Sequence, residues 1–442
     1  MSEEPAREPV RYLWEWTAIG VGIVLLFFAV PHTVSSDGRV RFNALADLLE
    51  RGDITTAPYS LVGPLFSAPL YFLGKVIRDS EWWCARFNTL LLAGGLAATA
   101  SLFRRSVDAR ILRTFVLLIV AASMFPNHAR DYFGEMFTAV LALVGIAALS
   151  SARPGLGWTA LVLGVVNTPA TLVGLLLVSV RHVRETKTFR HFVPVCVAAS
   201  LILLESWIRR GHPLVTGYEG NAGFATILPY SGRPGFSYPL FFGLLSIMLS
   251  FGKGILFFAP GLLLRLAKGE REVSGQLHGF WGYTMWFLAG LIVVYAKWWA
   301  WYGGSFFGPR FFLVASLPAS LAIAVKLRQV PVMAAPALGT LFTIITLSAW
   351  VGVSGAVFDQ ANLDVCAQDN YALELLCWYT PEFSVLWRPF VAPTSLSVGP
   401  MLFAAYCGLV YMWLSVPLLR TLIVRGSRSI AAGRVSLKTW RF

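Results

Sequence analysis

The chain alternates long apolar runs with short polar breaks. Runs long enough to cross a bilayer as helix fall near 13–31, 86–104, 111–126, 132–150, 157–181, 190–208, 239–266, 276–297, 309–326, 332–352 and 399–419. A further apolar stretch, 59–77, is broken by Pro58, Gly63, Pro64 and Pro69, which interrupt helical hydrogen bonding. It is expected to lie at the membrane interface rather than to cross. The run 157–181 carries Asn167, Thr168 and Pro169 at its middle and reads as a bent hairpin of two short spans. Gly252-Lys253-Gly254 interrupts 239–266, with Pro260 beyond, so that run should divide into an interfacial helix and a short span. In SSDGRVRFNALADLLERGD, residues Phe42, Leu45, Leu48 and Leu49 share one helical face, while Arg41, Asp47 and Glu50 lie elsewhere. That is the pattern of an amphipathic helix along a membrane surface. The pattern as a whole predicts an all-α polytopic membrane protein, a bundle of about 10–12 transmembrane helices with interfacial helices in its first long loop.

Composition agrees: 56% of the 442 residues are hydrophobic and 13% charged, where a soluble protein carries about a quarter charged. A formal charge of +13 would point to nucleic acid in a soluble protein. Here the basic residues sit in short loops between apolar runs, which orients a membrane protein and argues against a nucleic-acid partner. Clusters at Arg104, Arg105, Arg110 and Arg113, at Arg181, Arg184, Lys187 and Arg190, at Arg265, Lys268 and Arg271, at Lys326 and Arg328, and from Arg420 to Lys438 are expected on the cytoplasmic side. Arg7 and Arg11 precede the first run, and no small-residue cleavage site follows it, so that helix should stay attached with both termini cytoplasmic. Segments 32–85, 127–131, 209–238, 298–309 and 353–398 then face outward. Cys366 and Cys377 share the last of these, in a compartment that permits disulfides, and a bridge between them is expected. Cys84 faces the same side without a local partner, Cys196 and Cys407 lie in spans, and none has metal-site spacing.

The polar candidates collect at the outward ends of the runs. Asp37 follows HTVSS and precedes Gly38 and Arg39, which places a carboxylate at the membrane boundary as either a base for a hydroxyl or a helix cap. Glu135, in RDYFGEMFTAV, stands one turn into an apolar run with Arg130 and Asp131 before it. A carboxylate there costs several kcal/mol unless paired or wet, which makes it a functional candidate. Lys253, at the break in its run, is either part of an anion site or a snorkelling lysine. Arg310 follows YGGSFFGP and opens an apolar helix, with Pro309 leaving first-turn N–H groups free, an arrangement suited to bidentate phosphate contact. Trp298, Trp299, Trp301 and Tyr302 form either an interfacial aromatic belt or a platform for a sugar ring.

A first span, an outward Asp37, an amphipathic helix, the Pro-rich stretch YSLVGPLFSAPLYFLG and an Arg-led second span ARFNTLLLA resemble the GT-C class of membrane glycosyltransferases. The kinds closest in pattern are the bacterial members similar to dolichyl-phosphate-mannose protein mannosyltransferases and the lipid A aminoarabinose transferases. FGKGILFFAPGLLL and WYGGSFFGPRFFLVASLP also resemble segments of proteins of that class, and the likeness covers roughly residues 13 to 330. It implies a GT-C-like bundle and inverting transfer of a sugar from a polyprenyl-phosphate donor to a glycan, lipid or protein acceptor at the outer face of a bacterial plasma membrane. Asp37 matches the general base of the class, and Glu135 would orient a sugar hydroxyl or the acceptor. Lys253 and Arg310 would hold the donor phosphate, opposite Asp37 across one pocket, with Arg39, Trp301, Tyr302 and His128 completing the substrate site. Many relatives carry an acidic pair where Asp37 is followed by Gly38, so no cofactor is implied with certainty and a divalent metal stays open. The implied division is a transmembrane catalytic module at 1–352, an outer loop at 353–398, and a last helix with a basic tail at 399–442. The rival reading is a transporter or flippase of lipid-linked sugars, since broken helices and buried charges also mark transport paths.

Overall fold

A computed structural model describes residues 8–267, 272–358, 363–393 and 396–438. Arg7, Lys268 and Arg271 of the topology argument lie outside them. The described residues form helices joined by turns and loops, and their sole β-pairing is one isolated bridge. Helix α1 (Glu8–Phe28) leads into α2 (Ser36–Arg51) and three short helices, α3 (Val62–Phe66), α4 (Ala68–Val76) and α5 (Ser80–Ala85). The proline-broken stretch forms two short helices that meet at Ser67, and neither is long enough by itself to cross: at nine residues, α4 rises about 14 Å, less than half the hydrocarbon thickness. There follow α6 (Phe87–Phe103), α7 (Ala109–Ala121), α8 (Phe125–Ala129), α9 (Gly134–Ser150), α10 (Pro154–Asn167), α11 (Leu172–Thr186) and α12 (Val193–Arg210). The break between α10 and α11 falls at Asn167–Thr171, where Pro169 starts a single 3-10 turn. The run 239–266 divides into α13 (Leu240–Leu249), α14 (Ile255–Phe258) and a turn at Pro260–Leu263. Next come α15 (Gly275–Tyr295), a 3-10 segment at Arg310–Ala315 running into α16 (Ser316–Gln329), α17 (Ala335–Val357), the short α18 (Leu363–Cys366) and α19 (Glu374–Tyr379), and α20 (Val398–Lys438).

This is an all-α polytopic membrane protein. Five helical stretches among the described residues are long and apolar enough to cross a bilayer: Phe189–Arg210, Gly275–Tyr295, Arg310–Val332, Ala335–Val357 and Val398–Ser427. Shorter apolar helices, including Tyr12–Phe28, Gly134–Ser150 and Pro154–Asn167, fill the bundle between them. Helix α7 is its axis, with every residue from Ile111 to Ala121 buried. The perimeter is apolar instead: Val24 and Phe28 on α1, Leu204 and Trp207 on α12, and Leu409 and Met412 on α20 are all exposed. Burial in water cannot explain such a surface, whereas a lipid solvent can. Where lipid is the solvent, helices associate by close backbone approach. Gly290 on α15 meets Gly174 on α11 so closely that a Cβ would lie 2.4 Å from the Gly174 nitrogen.

One expectation for α2 is corrected. Its buried positions include Arg41 together with Ala44 and Leu45, although the amphipathic pattern sets Arg41 away from the apolar face. The cause is long-range: Gly134 has no side chain, and the Arg41 guanidinium fills that space, 2.6 Å from where a Cβ would stand.

Candidate active site

The site is assembled by pinning two helix starts together. Thr33 and Asp131 pair as an isolated parallel bridge, with the Thr33 N–H donating to the Arg130 carbonyl at 3.0 Å. The Asn88 amide donates to the carbonyls of Asp131 and Phe133, at 2.6 and 3.0 Å. These bonds set the first turn of α2, with Asp37, beside the first turn of α9, with Glu135. Helix N-termini favour negative charge, so both carboxylates stand where backbone dipoles support them.

Arg310 comes to the same place from the other half of the chain. The loop Tyr302–Pro309 reverses direction by putting Gly303, Gly304 and Gly308 in left-handed conformations, φ 74°, 79° and 58°, which side chains resist. From its end the Arg310 Nη2 donates to Asp37 Oδ2 at 2.8 Å, and Nη1 lies 3.7 Å from Glu135 Oε1. Phe133, Phe306 and Phe311 present their rings to the guanidinium with centroids at 5.1, 4.6 and 5.1 Å. Arg310 is buried, yet its Nε and Nη1 have no hydrogen-bond acceptor. The other Asp37 oxygen accepts from the Tyr59 hydroxyl at 2.6 Å. Burial pushes the Asp37 carboxyl up, but Arg310, the Tyr59 hydrogen bond and Arg41 outweigh it and hold Asp37 below the usual carboxylate value. Burial, then the Asp37 charge, pushes the Tyr59 phenol up, so it remains a donor. Arg41 lies over the Tyr59 ring at 4.9 Å and donates to the Ser60 carbonyl at 3.2 Å, leaving its own Nε without an acceptor.

The remaining sequence candidates are placed differently. The Lys253 ammonium donates to the carbonyls of Gly304, Phe306 and Gly308, at 2.8, 2.5 and 3.2 Å, so its protons are committed to the loop beneath Arg310. Tyr302 stacks on Trp378 at 4.0 Å, and Trp301 is enclosed by Tyr238, Trp378 and Tyr379. Both are buried, because α19 packs over them, and neither offers an open ring face. His128 is buried, with its ring 6.4 Å from Phe307. Arg39 makes a two-fold pair with Glu81, both bonds 2.6 Å, on a half-exposed surface. Cys366 and Cys377 are joined as a disulfide, Cα atoms 6.0 Å apart.

Three site residues were not found from the sequence: Tyr59, Arg41 and Glu205. Glu205 on α12 accepts from Ser60 Oγ and the Leu61 N–H at 2.8 and 2.9 Å and from Arg209 at 2.8 Å. Arg209 in turn donates to the carbonyls of Thr55, Ala57 and Tyr59. This holds the loop that delivers Tyr59. The signal available was a Glu205–Arg209 pair at i,i+4 on an apolar helix.

A divalent metal fits these residues poorly. No three His, Cys, Asp or Glu side chains gather among the described residues. Between the two carboxylates that would bind a cation stands the Arg310 guanidinium, which already neutralises them. The arrangement is a permanent cation bridging two acids, with two of its N–H directions unspent and a phenol holding the nearer acid.

No family model matches the chain, and neither does any curated protein sequence. Among solved structures it is similar to ArnT from Cupriavidus metallidurans bound to undecaprenyl phosphate, at 15% identity over 94% of this chain and 78% of that one, with a TM-score of 0.51. The same protein in its apo state is matched at 15% identity over 92% and 77% of the two chains, TM-score 0.48. The fold is therefore GT-C-like, and at this identity the likeness concerns the fold alone.

Proposed function

We propose that this protein is an inverting glycosyltransferase that moves a sugar from a polyprenyl-phosphate donor to a cell-envelope acceptor. The observation that carries the reading is Arg310: a buried guanidinium with two unpartnered N–H directions, set between two carboxylates on a GT-C-like fold. Such a group asks for an oxyanion, and a phosphate accepts from Nε and Nη together. The ArnT neighbour, which carries undecaprenyl phosphate, makes a lipid-linked phosphate the matching chemistry.

The direct Asp37–Arg310 bond differs from the expected layout, in which base and phosphate clamp face each other across the sugar. It supplies an ordering of events instead. A carboxylate held below its usual range is a weak base. When the donor phosphate takes the guanidinium, Asp37 loses part of its counter-charge and its proton affinity rises, so the base strengthens when there is a donor to attack. Asp37 then accepts the acceptor hydroxyl proton, the oxygen bonds to sugar C1, and the C1–O bond breaks with its electron pair leaving on polyprenyl phosphate. Arg310 stabilises that charge. Glu135 is placed to orient a sugar hydroxyl or the acceptor.

In this reading the protein lies in a bacterial inner membrane with both termini cytoplasmic and the site outside. A cysteine replacing Asn43 on α2 then reacts with an impermeant reagent in intact cells, and labelling only after permeabilisation rejects the orientation. The activity is tested with purified protein and radiolabelled polyprenyl-phosphate sugars. Transfer with release of polyprenyl phosphate supports the enzyme. Movement of the lipid between leaflets with its sugar still attached replaces it with a transporter.

A further inference from the structure

The loop that aims Arg310 is held from below by a second buried charge cluster, separate from Asp37 and Glu135. Lys253 fixes the loop through three carbonyls. Across from it lies Glu374, buried at the start of α19, accepting from Ser305 Oγ at 3.2 Å and from the Tyr302 hydroxyl. Glu374 thus grips the same loop by its side chains while Lys253 grips it by its backbone. Its own position is set by the hairpin closed by Cys366 and Cys377, and by the Gly252 N–H donating to the Trp378 carbonyl at 3.0 Å. The fit there is tight, since a Cβ on Gly252 would lie 1.8 Å from the Cys377 carbonyl oxygen. Three left-handed glycines leave the loop little stiffness of its own. Its shape, and the direction in which Arg310 leaves it, are therefore imposed by these outside contacts.

We propose that Glu374 is a positioning residue for the donor site: anchored in the disulfide-closed hairpin and opposed to Lys253, it holds loop 302–308 through Ser305 and Tyr302 and so sets where the Arg310 guanidinium meets the donor phosphate. The proposal rests on the reading of Arg310 as the phosphate contact. A residue that acts through another loses its effect once the other is gone. This separates positioning from general support of the fold.

The test is the affinity of the purified full-length protein for undecaprenyl phosphate in detergent, compared for wild type, Arg310→Ala, Glu374→Ala, Glu374→Gln and the Arg310→Ala/Glu374→Ala double variant. Arg310→Ala is expected to weaken binding about 30-fold, as loss of a charge-assisted bidentate contact does. Glu374→Ala should weaken it about tenfold, and the double variant no further than Arg310→Ala alone. Glu374→Gln keeps shape and hydrogen bonding and should stay within about threefold of wild type; should the alanine variant be unstable, Ser305→Ala, which removes one grip and leaves Glu374 in place, should weaken binding about threefold or more, and no further in an Arg310→Ala background. If Arg310→Ala weakens binding while Glu374→Ala, or Ser305→Ala in its place, binds as wild type, or if its effect multiplies with that of Arg310→Ala, the positioning role is overturned and the phosphate contact stands. If Arg310→Ala binds as wild type, the phosphate contact itself fails, and the positioning role with it.

Discussion

Two buried ion pairs sit toward opposite ends of the bundle and are built to different rules. Toward the end away from α2, Glu15 on α1 and Arg113 on α7 meet at 2.5 Å, with the Trp413 indole N–H donating to the second Glu15 oxygen at 3.4 Å and Tyr12 beneath the guanidinium at 5.1 Å. At the other end, Asp37 and Arg310 meet at 2.8 Å. Both pairs sit in places where a lone charge would be costly. The difference lies in what remains unspent. Neither Glu15 nor Arg113 has a buried polar atom without a partner, whereas Arg310 has two and Arg41, next to it, has one. A closed pair joins helices, and an open one waits for a ligand. Burial of charge in a membrane protein is thus a weaker sign of function than unsatisfied hydrogen-bonding capacity.

The strongest way to break this comparison is to show that the closed pair matters to chemistry. Glu15→Gln leaves the Arg113 charge buried without a counter-ion and should cost about 3–5 kcal/mol of stability. Turnover per folded molecule should stay within about twofold of wild type. Thermal unfolding in detergent, beside activity normalised to folded protein, checks both halves. A large loss of turnover in protein of normal stability would erase the distinction between the two ends.

The reciprocal change comes next in size. Asp37→Asn keeps shape but cannot take a proton, so single-turnover rate should fall about 10²-fold or more. Undecaprenyl phosphate binding should persist or tighten, because the Arg310 guanidinium no longer has a carboxylate competing for it. Arg310→Lys should recover little of the wild-type affinity, since a point charge cannot bond one phosphate through two fixed N–H groups. Full activity in Asp37→Asn would remove the base assignment and move attention to Glu135.

The two ends also differ in how far the sequence disclosed them. Apolar runs and proline placement were enough to see that 59–77 and 239–266 are broken, and that the fold is an all-α bundle, since each depends on local hydrogen bonding and length. Asp37, Glu135 and Arg310 stood out because a charge beside an apolar run is conspicuous, and the structure brings these three together. Tyr59 and Arg41 did not, because a tyrosine in a loop and an arginine on an amphipathic helix are ordinary until Gly134 and Glu205, each more than ninety positions away, give them their places. Neither sequence alternative for Trp301 and Tyr302, an interfacial belt or an open platform, describes their burial, for the same reason: the helix that covers them, α19, lies some seventy residues downstream.

A smaller effect is expected at the hairpin. Replacing Cys366 by Ser opens a loop with an 11-residue separation, worth about 2–3 kcal/mol at most by chain entropy, so the hairpin should loosen while the spans stay folded. Alkylation without reductant, followed by mass spectrometry, should find Cys377 unmodified in wild type and modified in Cys366→Ser. Both thiols modified in wild type would remove the bridge.

The smallest effect sharpens the comparison within the site itself, where two carboxyls are perturbed in opposite directions. Burial pushes Glu374 up to about 7, against the opposing pull of Lys253, Tyr302 and Ser305, while Asp37 is held low by Arg310. Between its unfolded value, near 4.5, and about 7, the folded protein keeps a proton on Glu374 that the unfolded chain has lost. By linkage its contribution to stability is complete below that unfolded value and disappears as pH rises through about 7. Asp37 has the reverse sign, contributing above its unfolded value and losing that contribution as pH falls through its lower folded one. Wild type should therefore lose a few degrees of unfolding temperature between pH 5 and pH 8 relative to Glu374→Gln, which has no proton to lose there. Asp37→Asn should change the profile only at the acid end. Parallel wild-type and Glu374→Gln profiles from pH 5 to 8 would mean that Glu374 is already charged across that range, and that its buried carboxylate is compensated by its surroundings as Glu15 is by Arg113.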